Sequence, residues 1–167
     1  MSEIGFEPES ALGGDPQWSD QGVSYDFDEE PISEPVIVRS HFVTTVLVSH
    51  NGATWLPAVL TQLARTTRPP EVIVGVDARS TDTSLEILTQ SLGADRVVAL
   101  AENQGFGACV DAGLGLVPRP DFLADARPAD TIEWIWLLHN DCAPDSTALE
   151  QLLLTADRHP SVAVLGP

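Results

Sequence analysis

A chain of 167 residues with 43% hydrophobic content has room for one domain and enough apolar material to bury a core. Its formal charge of -17 comes from 25 acidic residues against 8 basic ones, all of them Arg, and the absence of a basic stripe to neutralise phosphates excludes nucleic acid as a partner. Cys109 and Cys142 form no CxxC pair, no basic-then-apolar leader is seen, and no apolar run approaches the roughly 18 residues of a membrane span, so a cytoplasmic setting is expected, extending at most to the cytoplasmic face of a membrane.

Residues 1–40 hold 10 of the acids, mixed with Pro, Gly, Ser and single aromatics such as Trp18, Tyr25 and Phe27. That is too little periodic apolar surface to offset the entropy of ordering the chain, so an acidic disordered tail is expected there and a folded domain over residues 41–167. In the domain the period alternates between strand-like and helix-like. Val43–Ser49 (VTTVLVS) is a β-branched strand, and Thr54–Arg65 follows with Trp55, Leu56, Val59, Leu60 and Leu63 at helical spacing. Glu71–Val76 (EVIVGV) reads as a second strand and Ser80–Ser91 as a second helix capped by Ser80 or Thr81, with Asp82 serving its N-terminus. Arg96–Leu100 is a third strand, Gln104–Leu116 a small-residue helix, and Pro118–Asp130 a polar, proline-punctuated loop. Glu133–Leu138 (EWIWLL) gives a fourth strand, Ser146–Arg158 a fourth helix preceded by a capping Asp145, and Ser161–Leu165 the start of a fifth strand.

Strands alternating with helices through short connections predict an α/β fold, a mostly parallel sheet with helices on both faces, Rossmann-like. Ligands of such sheets sit beyond the C-terminal strand ends, which directs attention to Ser49–Gly52, Asp77–Asp82, Glu102–Gly107 and His139–Asp145. Asp77, at the end of the second strand, can accept a hydrogen bond from a ring N–H or a ribose hydroxyl. Asp141, beyond the fourth, can hold Mg²⁺ or Mn²⁺, hard ions that share oxygen ligands with phosphates. Gly105 and Gly107 stand where the backbone can approach a ligand or pack closely, yet they follow the third strand and lack a third Gly, which argues against dinucleotide chemistry. His139, Cys142 and His50 offer a soft-metal alternative without any recognisable zinc spacing.

In their order along the chain these segments resemble glycosyltransferase family 2, of the GT-A type. VLVSHNGATWLPAVLTQL resembles the family's opening strand, polar turn and helix; EVIVGVDARSTDTS its second strand with a nucleobase-contacting acid; ENQGFGACVDAGL the Asn-x-Gly-Phe stretch beneath the sugar; and WIWLLHNDCAPDSTALEQLL the strand carrying the DxD-type metal motif. The resemblance runs from about Phe42 to Pro167 and implies the N-terminal, nucleotide-sugar-binding half of the domain. It implies transfer of a sugar from a nucleoside-diphosphate sugar to a hydroxyl of a saccharide or lipid-linked acceptor, with inversion, in cell-wall or surface polysaccharide synthesis. Ser49, His50, Asn51, Asp77, Asn103, Gly105, Phe106 and Asn140 would bind the nucleotide-sugar and Asp141 the divalent cation. Where many members carry two acids, this chain has His139-Asn140-Asp141 and keeps only the last. The acceptor half and the catalytic base are expected beyond these residues, in a remainder that can be membrane-associated. The alternative is a non-catalytic nucleotide-sugar-binding module.

Overall fold

The computed structural model describes residues 39–117, 128 and 130–166. The expected tail, apart from Arg39 and Ser40, and most of the Pro118–Asp130 loop lie outside these residues. Four strands, β1 (His41–Ser49), β2 (Val72–Asp77), β3 (Val97–Ala99) and β4 (Ile132–His139), form one sheet in the order β3-β2-β1-β4, with every neighbouring pair parallel. Four helices connect or follow them: α1 (Leu56–Leu63), α2 (Ser84–Leu92), α3 (Phe106–Leu114) and α4 (Ala148–Arg158).

Because β1 is central and covered on both faces, seven consecutive residues from Val43 to Ser49 are buried, the continuous apolar reading of a parallel strand. Its side chains alternate between two layers. Val46 and Val48 pack with Val74, Val76, Ala78 and Cys109 under α3. Leu47 packs with Leu56, Val59, Leu63, Leu88 and Leu138 under α1 and α2, while Val43 meets Leu149 and Leu153 of α4. Each such fully buried Val or Leu contributes about 1.5–3 kcal/mol relative to exposure, so these three clusters hold the layers together. α3 lies close to the sheet because Gly113 has no side chain: a Cβ there would stand 2.8 Å from Val46 and 2.9 Å from Val76.

Two expectations are corrected. Ser161–Leu165 forms no strand; residues 162–166 have no regular pairing and Val164 is 85% exposed. An apolar β-branched run becomes a strand only where a neighbour completes its hydrogen bonds and covers a face, and among the described residues none does. The second helix begins at Ser84 with Thr83 as its N-cap residue, not at Ser80 or Thr81, because those two are drawn into bonds with the loop after β1. The third strand and third helix are also each shorter than their sequence patterns suggest.

The sheet order reverses at β1, whose followers β2 and β3 lie on one side and β4 on the other. The C-terminal ends of β1 and β4 therefore border the topological switch point, where open α/β sheets present a crevice.

Candidate functional site

The loops leaving β1 and β2 are stitched together. Ser49 and Asp77 are register partners at the two strand ends, and the Ala78 N–H donates to the Ser49 carbonyl at 2.8 Å. Immediately beyond, His50 Nδ1 lies 2.7 Å from the Ala78 carbonyl. A carbonyl only accepts, so Nδ1 carries the proton, and Nε2 accepts from the Asn51 side-chain amide at 3.2 Å. Asn51 has φ +50, a left-handed conformation that Asn tolerates, and its N–H donates to Ser80 Oγ at 2.9 Å. Asn51 Oδ1 in turn accepts from the Thr81 N–H at 2.8 Å. Two further bonds run from Gly52 N–H to Ser84 Oγ at 2.7 Å and from Ala53 N–H to Asp82 Oδ2 at 3.0 Å. Asp82 Oδ1 also accepts from the Ser84 hydroxyl and backbone N–H, and the hydroxyl bond is the main reason its carboxyl titrates below the ordinary range. The expected role of Asp82 at the start of the helix is thus met, with an added tie to the neighbouring loop.

Beneath this junction Asn140 is 2% exposed and its Oδ1 accepts from the His50 N–H at 3.3 Å. Its side chain occupies the space a Cβ on Gly52 would need, 2.6 Å from Asn140 Cγ, so the glycine is required by close packing. Asn140 is placed as a support for the loop after β1.

Asp77 is 3% exposed. Its Oδ2 accepts from the Ser80 N–H at 2.9 Å, but Oδ1 has no hydrogen-bond partner, and neither does the buried Oγ of Ser49. These two oxygens belong to register partners at adjacent strand ends; Thr45 Oγ1 and Thr131 Oγ1 are likewise buried without a partner, although native proteins pair nearly all such atoms. Directly behind, the Cys109 thiol is pushed up by burial and by the negative charge of Asp77.

The second group of residues gathers around the start of α3 and the end of β4. Asn103 Oδ1 accepts from the Gly105 N–H at 3.0 Å, forming a tight turn that Gly105 completes with φ +91. Gly107 has open space where a side chain would be, so close helix–sheet packing, which explains Gly113, does not explain Gly107. Phe106 is 42% exposed, and its ring lies 6.2 Å from that of His139 between centroids. His139 Nδ1 is 2.9 Å from Asp141 Oδ1, a bond that holds the Asp141 carboxyl below its ordinary range. Asp145 accepts from the Thr147 N–H and hydroxyl ahead of α4, but the N-cap position belongs to Thr147 and the first-turn acid is Glu150, so the expected capping role of Asp145 is corrected.

The fold therefore brings Ser49, His50, Asn51, Asp77 and Asn140 to one junction and Phe106 and Asp141 to another, with Asn103 and Gly105 shaping the turn into α3. The soft-metal grouping does not form: His50 is engaged by Ala78 and Asn51, and no group of three or more His, Cys, Asp or Glu side chains suited to a metal occurs among the described residues. Sequence reasoning gave Ser80 to a helix cap and missed Ser84, whereas both hydroxyls receive the backbone of the first loop. The signal was present in the Ser-Thr-Asp-Thr-Ser run, which is richer in hydroxyls than one helix cap requires.

The sequence model of the family described as "Glycosyl transferase family 2" matches residues 44–167. Among solved structures, TarS 1–349 of S. aureus is similar with a TM-score of 0.54 at 20% identity, over 71% of this chain and 33% of that one. A longer TarS structure from S. aureus gives a TM-score of 0.53 at 19% identity, over 71% of this chain and 20% of that one. At such identity the likeness is one of fold, and the chain spans about a third and a fifth of these two structures. Comparison with curated proteins finds no match.

Proposed function

This chain belongs to glycosyl transferase family 2, and from that premise we propose that it carries the donor-binding half of a domain that transfers a sugar from a nucleoside-diphosphate sugar to an acceptor hydroxyl, with inversion. The observation that carries the reading is the unpartnered Oδ1 of Asp77, a buried carboxylate oxygen at the ligand end of a parallel sheet. A nucleobase N–H or a ribose hydroxyl supplies the missing donor. Ser49, His50 and Asn51 border the nucleoside, and Asn103, Gly105 and Phe106 the sugar-diphosphate, where the open space at Gly107 admits the ligand to the backbone. Asn140 acts by fixing the loop that carries His50 and Gly52.

A divalent cation, Mg²⁺ or Mn²⁺, fits the exposed Asp141 carboxylate, which offers the oxygen ligand such ions take. When bound it stabilises the charge that develops on the leaving diphosphate. The general base and the acceptor site belong to the remainder of the domain in this reading. The acceptor is a saccharide or a lipid-linked saccharide of cell-wall or surface polysaccharide, reached on the cytoplasmic side. Among the described residues no helix is long and apolar enough to cross a membrane.

Calorimetric titration with uridine, guanosine, thymidine and adenosine diphosphates tests the proposal. One of them should bind, and Asp77→Asn should weaken it by about tenfold or more, the loss of a charged hydrogen bond. Equal binding to both proteins, or none to either, overturns the reading. A second reading, a binding module without catalysis, draws on the single carboxylate of His139-Asn140-Asp141. Sugar transfer by the full-length protein separates the two.

A further inference from the structure

Among the described residues two that are not glycine have left-handed backbones, and both stand at the ligand end of the sheet: Asn51 with φ +50 and Arg79 with φ +58. Asn51 suits the conformation, because its short side chain bonds locally to the Thr81 N–H. Arg79 has no such bond, so its backbone is held against a steric cost that glycine would not incur. Its neighbours do the holding. The Ala78 N–H donates to the Ser49 carbonyl and the Ala78 carbonyl accepts from His50 Nδ1, while the Ser80 N–H donates to Asp77 Oδ2 and the Ser80 hydroxyl accepts from the Asn51 N–H. The side chain presented by this turn is exposed, and none of the described residues pairs with its guanidinium. Strain at a residue whose side chain does nothing for the fold points to a ligand.

Charge singles out the same residue. Arg39, Arg65, Arg68, Arg96 and Arg158 precede strands or close helices, which puts them at the opposite end of a parallel sheet. Among the described residues Arg79 is the one Arg in the loops beyond the strands, where Asp77, Asp82, Glu102, Asp141 and Asp145 gather. We propose that Arg79 is a specificity-determining residue for the nucleotide: its guanidinium donates to the nucleobase carbonyl that adjoins the ring N–H accepted by Asp77 Oδ1. The inference rests on the donor-binding reading above and narrows it to bases with an N–H beside a C=O, which are uracil, thymine and guanine. One residue separates Asp77 from Arg79, and the Ser80 N–H closes the turn between them, so the long side chain starts close enough to reach the same ring. A guanidinium only donates and a carboxylate only accepts. Adenine and cytosine present a bare ring nitrogen beside an amino group, leaving one or both residues unpaired. The phosphates lie elsewhere, since β1 separates β2 from the Asp141 end of β4 by two strand spacings, about 10 Å.

Isothermal titration of the 167-residue chain with uridine, guanosine, cytidine and adenosine diphosphates tests the proposal. Uridine or guanosine diphosphate should bind about tenfold or more tightly than the other two, and Arg79→Gly should weaken it by about tenfold, the loss of a hydrogen bond to a charged group. The thermal midpoint of Arg79→Gly should stay level or rise, because relief of the left-handed conformation offsets the wider freedom of the unfolded chain. The thio analogue of the preferred ligand, with sulfur in place of that carbonyl oxygen, is the sharper probe, sulfur being a weak acceptor. It should bind the wild type about tenfold more weakly than its parent, and bind Arg79→Gly as its parent does. An oxygen-to-sulfur difference that survives in Arg79→Gly overturns the proposal, as does a lowered thermal midpoint, which would give the side chain a role in the fold. Binding that is lost in Asp77→Asn and untouched in Arg79→Gly keeps the donor-binding reading and defeats this inference. No binding of any nucleoside diphosphate by the wild type defeats both.

Discussion

A methyl group added at Gly113 would stand 2.8 Å from Val46 Cγ1, whereas at Gly107 it would meet nothing within 4 Å. Both glycines lie in α3, and helix propensity alone predicts that Ala stabilises either position. Packing reverses the sign at one of them. Gly113→Ala should destabilise by about 1–3 kcal/mol, the cost of overpacking a core, while Gly107→Ala should be neutral or stabilise by about 0.4–1 kcal/mol. Urea denaturation of the two variants checks the contrast. If Gly107 faces the sugar-diphosphate, its Ala variant will also bind a nucleoside diphosphate more weakly despite its higher stability. At Asp82 the prediction concerns acid. Its folded pKa lies below the ordinary 3.8, chiefly through the Ser84 hydroxyl, so the carboxylate contributes stability that is fully present above that value and lost as pH falls through the lower folded one. Thermal melts of the wild type and Asp82→Asn should therefore differ at neutral pH and converge below about pH 3.8. A gap that persists in acid would show that the hydrogen-bonding geometry, not the charge, is what matters.

Elements are joined at the far end of the sheet by a chain of three side chains. Asp157 on α4 lies 3.0 Å from His41 Nε2 on β1, and the Trp134 indole N–H on β4 donates to His41 Nδ1 at 3.0 Å. Indole nitrogen only donates, so His41 bears its hydrogen on Nε2 and presents it to Asp157. Trp134→Phe keeps most of the apolar surface but leaves a buried ring nitrogen without a donor. It should cost about 1–3 kcal/mol, read as a lower denaturation midpoint with an unchanged slope. No period in the sequence announces this linkage, because its members are 116 residues apart at the widest. The same reason limited the sequence reading elsewhere. The buried β-branched run of β1 and the Leu spacing of α1 and α4 are local signals, and they placed four strands and four helices in the right order. Where a polar residue is claimed by a distant loop, as Ser80, Thr81 and Ser84 are, local rules put the helix start too early. The position of Asp77 at a strand end was legible from the buried run that precedes it, whereas its bond to the Ser80 N–H was not. Asn140 was named through the family resemblance, but its support of the first loop was not legible, since its bond to His50 spans 90 residues and its packing on Gly52 has no sequence signature.

For the molecule as a whole, β4 has only β1 as a neighbour among the described residues, and the face of β4 away from α4 carries Ile135 at 51% and Leu137 at 46% exposure. An edge strand with exposed apolar side chains is a template for association. Light scattering on the 167-residue chain should show association that grows with concentration, and Leu137→Lys should suppress it without lowering the thermal midpoint. Scattering from a monomer at every concentration, in both proteins, would sink the expectation. The large negative charge opposes contact between copies, so added salt should strengthen the association of the wild type.

The strand order also constrains how the protein is made. β1 pairs with β2 through Thr44 and Val72 but with β4 through His41 and Ile132, residues 91 positions apart in the chain. Synthesis proceeds at about 5–20 residues per second, so one edge of the most apolar strand waits roughly 5–18 seconds on the ribosome before its partner exists. Contacts of such long sequence separation also slow folding once the chain is complete. Among the described elements the central strand is thus the first to emerge and one of the last to be finished. Synonymous codon changes that slow translation between residues 50 and 132 lengthen that interval, and they should lower the soluble yield of a protein whose amino-acid sequence is unchanged.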